Sequence, residues 1–522
     1  MSRRAKWLVR LCLLLNLLGL LMLFMSLAMI PSLLLALWDH SADVEGLSTA
    51  VGFTFGVGAL LFAVFRPLVR GVTIGHREGF LITGMGWLAA GIVGALPFWF
   101  YAHLAPDGIC DGPPVVGSDF CSFTNAAFES ISGFTTTGAS IITDGLWGSP
   151  GFTPDGRVGL PRGIMFWRFV THYLGGMGII VLGVAVLPLL GVGGMQLFKA
   201  EVPGPTTDKL VPRVGETAKL LWKVYLLLSA ILFLLLTGGG MDAFEAICHA
   251  MSTMATAGFS TRAASIGGFE SAYFEWVFIV FMFIGGMNFT LHFMALRGRF
   301  RPYVRDPEWR VYTVLWVVAA LTITFSLYHA PSGMSFSEAL RKATFQSTSI
   351  MTTTGFTSAD YELWTYAPMA IFVLIILMFV GGMAGSTSGG VKIVRHMLLV
   401  KLWFRELFFL AHPRAVRRVS LGKVAVAPEV IRALTAFMAC YMALFVLGGA
   451  FFCLDGQDPF TAFSVSMASL GNVGPAFAEV GPSDNYELLS DTSKWVSAGL
   501  MIMGRLEIFT VLILFTRSFW QR

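Results

Sequence analysis

Charge is scarce in this chain. Only 13% of its 522 residues are Asp, Glu, Lys or Arg, while 55% are hydrophobic. A soluble domain carries roughly twice that share of charge, so a water-soluble globular class is excluded. A mean hydropathy of +0.72 agrees. Cysteine is scarce too, at six residues, with no Cys-x-x-Cys spacing to hold zinc. Cys12, Cys248, Cys440 and Cys453 lie in or beside apolar stretches and read as packing residues. Cys110 and Cys121 share an expected external loop where a disulfide is permitted; bridged or free, their role is structural. No Ser-His-Asp set and no paired carboxylates in one apolar segment occur, so no enzyme active site is expected. There is no Rossmann fingerprint, hence no bound organic cofactor. The N-terminus is basic and then apolar, but the run is too long for a signal peptide and lacks a small-residue cleavage site, so it reads as a retained span.

Apolar runs long enough to cross about 30 Å of hydrocarbon are abundant. The class is therefore an all-α polytopic membrane protein. Two leading spans, Trp7 to Trp38 and Leu47 to Phe65, occupy residues 1–75. Four similar units follow, at 76–195, 196–297, 298–408 and 409–522. Each reads as span, short re-entrant helix, polar turn, span. Leading spans run Gly79 to Tyr101, Ala218 to Leu236, Val311 to Tyr328 and Val430 to Cys453. Trailing spans run Gly163 to Leu190, Tyr273 to Met294, Met369 to Leu407 and Trp495 to Phe515. That predicts ten spans with both termini cytoplasmic. Basic residues cluster in alternate loops, among them Arg66, Arg70 and Arg77, then Lys199 to Lys219, Arg297 to Arg310, and Lys392 to Lys423; by the positive-inside rule these face the cytoplasm. Topology accounts for them better than a nucleic-acid surface.

The units are recognisable by their turns. Phe128-Glu-Ser-Ile-Ser-Gly-Phe-Thr-Thr-Thr-Gly138 aligns without a gap on Phe345-Gln-Ser-Thr-Ser-Ile-Met-Thr-Thr-Thr-Gly355, identical at seven of eleven positions. The four turns are Thr136-Thr137-Gly138, Thr256-Ala257-Gly258, Thr353-Thr354-Gly355 and Asn472-Val473-Gly474. Asp242-Ala-Phe-Glu245 and Ser335-Phe-Ser-Glu338 read as capping boxes, and Asp458-Pro459 as an N-cap with proline at the first helical position. Each short helix then starts outside and points its partially negative C-terminus inward, which favours a cation. Glycine permits backbone angles that let successive carbonyls face one axis. Four turns around one axis would form a carbonyl ring that replaces the hydration shell of a small cation. The turns hold no acidic ring, which argues against a divalent ion. Helix packing by small residues accounts for one such turn, but poorly for four.

Two further features stand out. Gly381-Gly-Met-Ala-Gly-Ser-Thr-Ser-Gly-Gly390 holds five glycines in ten residues, which breaks the third trailing span. Gly381, Gly382, Gly385, Ser386, Thr387, Ser388, Gly389, Gly390 and the following Lys392 are gate candidates. A phosphate-binding loop is excluded by the missing Gly-Lys-Ser/Thr. Arg505 lies deep in the last span, where a charge costs at least ~2.5–3.5 kcal/mol and so calls for a wet path or a partner. Glu507, two residues on, does not share its helix face. Arg168 and His172, one turn apart in the first trailing span, are at least as readily structural.

On the four turns, on Ala384-Gly-Ser-Thr-Ser-Gly-Gly-Val-Lys392 and on Ala200-Glu-Val-Pro-Gly-Pro205, the chain resembles the Trk/Ktr/HKT superfamily of potassium transporters over essentially its whole length. The two leading spans favour its TrkH-like branch. The resemblance implies four pseudo-repeats around one pore, a homodimer in the bacterial inner membrane, and a soluble nucleotide-binding ring of the TrkA type docked on the basic cytoplasmic loops. It implies potassium as the transported ion, bound at the turns, with Gly138 on the potassium-selective side where serine marks sodium-permeable relatives. It also implies a gating role for the glycine-rich loop and Arg505. Gly471 departs from the family pattern, where a polar residue is common. The expected function is channel-like, potassium-selective uptake. The alternative is a secondary transporter that couples potassium to sodium or proton movement, as a symporter would.

Overall fold

The computed structural model describes residues 3–70, 76–105, 109–110, 118–142, 159–178, 214–331, 333–422 and 424–520. Apolar sequence without water must satisfy its backbone internally, which leaves helices as the spanning element. The two leading helices, Arg3–Asp39 and Val44–Phe65, form an antiparallel hairpin. Gly19 and Gly58 let them approach closely: a Cβ on Gly19 would lie 2.6 Å from the Phe62 nitrogen. The hairpin end is fastened to the first unit. Asp43 Oδ2 accepts the Ile164 N–H at 2.9 Å, and Arg162 Nε donates to Asp39 Oδ2 at 2.6 Å. Burial pushes the Asp43 carboxyl above its usual range.

The leading helices of the four units span His76–Leu104, Val214–Gly238, Pro307–His329 and Pro428–Leu454, each within a few residues of the sequence expectation. The re-entrant half-helices are Phe123–Phe134, Ala243–Ala255, Phe336–Met351 and Pro459–Gly471. At 1.5 Å per residue, lengths of 12 to 16 residues fall short of the hydrocarbon core. Asp458 caps its helix through Phe460 N and Thr461 N at 2.9 and 3.3 Å. The two expected capping boxes are only half made. Asp242 and Ser335 accept from the helix N-terminus, but the returning carboxylates are engaged elsewhere: Glu245 accepts from Thr261 and Arg262, and Glu338 pairs with Lys342. Cys110 and Cys121 form a disulfide, with Cα atoms 5.7 Å apart.

The structure interrupts the trailing spans; the break in the third was expected, whereas the second and fourth were expected to be continuous. The second is two helices, Ala272–Gly285 and Phe289–Leu296, bent by 102°; the fourth, Asp491–Arg505 and the helix ending at Phe515, is bent by 111°. The third is split by a loop, residues 379–392, between Pro368–Met378 and Ile393–Ala411. The first leaves its α-helix Arg162–Tyr173 for a π turn, Leu174–Gly178, and its remainder lies outside the described residues, as do Lys199 and Lys209. The same local chemistry recurs at three of the breaks: Gly175-Gly-Met, Gly285-Gly-Met and Gly381-Gly-Met. Paired glycines weaken a helix, and each freed backbone is then buried against a neighbouring unit. Of the ten spans expected, six helices among the described residues qualify alone and eight when each bent pair counts as one. Outside the helices, a two-residue strand pair joins Ser420 to Ala425.

Candidate ion-conducting site

Each half-helix ends in the same closure. Thr136, Thr256, Thr353 and Asn472 take φ of 52°, 52°, 54° and 53°. Their N–H groups bond three residues back, and the next N–H bonds five back, as in Thr137 N to Ser132 O and Val473 N to Ala468 O. This is a Schellman closure, made in one turn with asparagine and in three with threonine, which seldom adopts left-handed angles; threonine there costs on the order of 1–3 kcal/mol and persists only where surroundings over-determine it. The glycines follow at φ of 78°, 89°, 81° and 94°, with a residue of ordinary hand between. Alternating hand from residue to residue turns successive carbonyls to the same side of the chain, whereas a uniform strand would alternate them.

The four turns converge. A Cβ on Gly138 would lie 2.1 Å from Ala257 O. One on Gly258 would lie 2.3 Å from Thr354 O, one on Gly355 2.3 Å from Val473 O, and one on Gly474 2.4 Å from Thr137 O. Contact therefore passes from the first turn to the second, third and fourth and back to the first, which closes a ring around one axis. The four glycines also line one cavity of about 80 Å³, with Ser140, Tyr486 and Asp484 on its walls. Side-chain bonds hold the turns from behind: Thr135 to Thr137 at 2.8 Å, Thr352 to Thr354 at 2.7 Å, and Asn472 Nδ2 to Thr137 Oγ1 at 3.0 Å.

The segment that climbs out of each turn is braced by its own half-helix. Nine residues before each glycine stand Glu129, His249, Gln346 and Val465. Glu129 accepts from Ile141 N at 3.0 Å, His249 meets Ser260 Oγ at 2.9 Å, and Gln346 donates to Ala359 O at 3.0 Å. Where valine breaks the pattern, the adjacent Ser464 accepts from Phe477 N at 2.7 Å. Sequence reasoning missed this set, although a polar residue at one register in three otherwise buried half-helices was its signal. Arg168, weighed as structural, pairs with Glu129 at 2.6 Å with both side chains fully buried, and its guanidinium lies 4.0 Å from the Phe259 ring. His172 stacks on the same ring at 4.0 Å, so both side chains join the first unit to the second beside Gly258. Removing one member of a buried pair leaves an uncompensated charge, which costs about 3–5 kcal/mol. Arg168→Met is accordingly expected to lower the thermal unfolding temperature of the detergent-solubilised protein markedly, and an unchanged transition would show that the pair contributes nothing to stability.

The glycine-rich loop packs beneath the turns of the second, third and fourth units and reaches the first through Arg505. Thr387 Oγ1 donates to Met254 O and Gly285 O at 3.0 and 3.2 Å, and Thr256 Oγ1 donates to Thr387 Oγ1 at 3.3 Å. Gly389 N donates to Thr353 Oγ1 at 2.6 Å, and a Cβ on Gly389 would lie 2.8 Å from Gly471 O. Arg505 closes the circuit: Nη1 donates to Thr387 O at 2.7 Å, and Nη2 to Gly175 O and Gly176 O at 2.8 and 3.0 Å. The loop is itself folded as a hairpin. Gly381 N bonds Val391 O, and Gly382 N bonds Ser388 Oγ. Ser386 and Ser388 bond each other, and Lys392 Nζ donates to Ser388 O. Glu308, which sequence reasoning passed over, accepts from Ala384 N and Val394 N at 2.8 and 3.1 Å and so holds both loop ends. A Cβ on Gly385 would lie 3.0 Å from Asn288 Oδ1, at the second unit's break. Arg505 stands at the end of its helix, not within a continuous span. The bend that follows carries Glu507 and Ile508 at φ of 57° and 58°, and Glu507 pairs with Arg395.

A helical membrane fold whose four broken hairpins enclose a carbonyl-lined constriction, crossed below by a loop and a guanidinium, defines a class: transport proteins for cations. The family model described as TrkH, cation transport protein, matches residues 70–522. Curated relatives include the Trk system potassium uptake protein TrkH of Halomonas elongata, 40% identical over 97% of this chain and 99% of the relative. TrkH of Escherichia coli K12 is 39% identical over 96% and 98%. The crystal structure of the potassium transporter TrkH from Vibrio parahaemolyticus superposes with a TM-score of 0.81 at 36% identity, covering 97% of this chain and 99% of that one. The chain belongs to the TrkH family.

Proposed function

We propose that this chain is a potassium uptake protein in which the backbone carbonyls of Thr136 to Gly138, Thr256 to Gly258, Thr353 to Gly355 and Asn472 to Gly474 form a selectivity filter. The observation that carries the reading is the closed ring of glycine contacts. Carbonyl oxygens at that constriction replace the water lost by an entering cation, and four half-helix C-termini add partial negative charge at the centre. Relatives named as potassium uptake proteins along nearly the whole chain support potassium as the ion. The repeats divide at 76–195, 196–297, 298–408 and 409–522, after the leading pair in 1–75.

The loop 381–390, Lys392 and Arg505 form the gate. They block the path below the filter, and the route opens when the loop withdraws toward Ile393–Ala411. Flow is inward and channel-like, driven by a membrane potential worth about 2.3 kcal/mol per charge per 100 mV. The protein works as a homodimer in the inner membrane with both termini cytoplasmic. A TrkA-type nucleotide-binding ring controls the gate from the basic side, where Arg297, Arg301, Arg414 and Arg418 are exposed. The test is the reversal potential of purified protein in liposomes under opposed potassium and sodium gradients. A value near the potassium equilibrium potential supports selective conduction. A value that shifts with a proton gradient would overturn channel-like flow in favour of coupling.

A further inference from the structure

Tyr486 lies in the outer segment of the fourth unit and is almost wholly buried. Three interactions fix it. Its backbone N–H donates to Ser140 O at 2.8 Å. Its ring packs against Phe128, centroids 5.5 Å apart. Its hydroxyl donates to the carbonyl of Gly474 at 2.7 Å. The residue thus bridges the last turn to the first, the junction at which the ring closes. Among the described residues, Gly474 is the one filter-turn residue whose carbonyl accepts a hydrogen bond from a protein group. The carbonyls of Gly138, Gly258 and Gly355, at the same register, accept none there.

This difference bears on ion binding. A carbonyl bonded to a phenol has one lone pair committed and its direction held. A carbonyl with no such bond settles freely on whatever cation arrives. Gly474 is followed by Pro475, which has no N–H and restricts the residue before it, so the phenol adds a second restraint on the same peptide. Discrimination between cations of different radius depends on the number, field and stiffness of the oxygens offered. We propose that the Tyr486 hydroxyl is a selectivity-determining group of the pore: by fixing the fourth carbonyl of the outermost ring, it makes that ion site one of three adaptable oxygens and one restrained oxygen. The inference rests on the reading of the four turns as a cation filter.

Tyr486→Phe removes the hydroxyl but retains the ring, its packing on Phe128 and the backbone bond to Ser140, so the fold is retained. One hydrogen bond to a buried group is worth roughly three- to ten-fold in an equilibrium. The potassium-over-sodium permeability ratio, read from reversal potentials in liposomes, is therefore expected to fall by about three- to ten-fold. Tyr361→Phe is the matched comparison. It removes a phenol bond of 2.8 Å to Ala476 O, two residues beyond Gly474, and its ratio is expected to stay within about two-fold of the unaltered protein. A Tyr486→Phe ratio equal to that of the unaltered protein overturns the proposal. So does an equal loss in both variants, which would mean a general loosening of the outer segment. If the unaltered protein itself fails to discriminate potassium from sodium, the filter reading falls and this inference with it. If it discriminates and Tyr486→Phe does so equally, only the inference falls.

Discussion

Replacing Gly138 with serine is expected to lower the potassium-over-sodium permeability ratio by about ten-fold or more, a change that corresponds to roughly 1.4 kcal/mol of differential binding. Two independent costs act at this position. The backbone sits at φ 78°, where an L side chain is disfavoured by roughly 1–2 kcal/mol. A Cβ would also stand 2.1 Å from Ala257 O, a carbonyl of the next turn, so it cannot be accommodated unless one of the two turns shifts. Either relaxation widens the ring on one side, and a wider, less uniform ring favours potassium less. The serine hydroxyl adds a donor where the unaltered ring offers only acceptors. The measurement is the reversal potential in liposomes with potassium inside and sodium outside. An unchanged ratio would remove Gly138 from the filter and weaken the assignment of the other three turns, which share its geometry.

Arg505→Ala is expected to raise steady potassium flux into liposomes, at fixed driving force, by about ten-fold or more. Among the described residues, Arg505 is the one side chain that ties the loop to the first unit's break, through Thr387 O on one side and Gly175 O and Gly176 O on the other. Hydrogen bonds to a charged group contribute about 1.5–3 kcal/mol each, and losing this set frees the loop to leave the axis. A positive charge beneath the filter also repels the permeant cation, so two effects act in one direction. Arg505→Lys separates them. Lysine keeps the charge but presents a point donor in place of the planar fork, so it cannot span the same three carbonyls. Raised flux in both variants assigns the obstruction to the hydrogen-bonded latch, whereas raised flux in the alanine variant alone assigns it to charge. Deleting residues 385–390 should raise flux as well. If none of the three changes flux, the loop and Arg505 have no part in gating.

Much of the site was legible before any coordinates because its grammar is local. A threonine or asparagine two residues before a glycine, at the end of a helix too short to cross, carries its own instruction to end the helix and turn. That is why Thr136, Thr256, Thr353 and Asn472 fall at one backbone angle in four places. The break at residues 379–392 was equally legible, since five glycines in ten residues leave little alternative. The bends after Gly285 and Arg505 were not read, because two glycines within a long apolar run are also common in unbroken membrane helices. What turns a tolerated weakness into a bend is the neighbour: Met383 N bonds Gly286 O, and Phe289 N bonds Gly385 O, so the second break is stabilised by the third unit's loop. The capping boxes failed for the same kind of reason. Glu245 had the right spacing to return to its own helix, but Arg262 offers it a stronger, charged partner.

The sequence by itself determined that this is a polytopic helical protein, and it marked four similar polar turns, each ending a short helix. It also called for either a wet path or a partner for Arg505, and for burial or wetting of the backbone freed by the glycine-rich stretch. Tertiary structure alone decided that the turns meet in cyclic order, that Arg505 clasps Thr387, and that Tyr486 engages one carbonyl of the ring. Residue spacing encodes only contacts within a few turns of chain. The Arg505 bonds join atoms 118 to 330 residues apart, where the partner is chosen by which unsatisfied groups the packing leaves within reach.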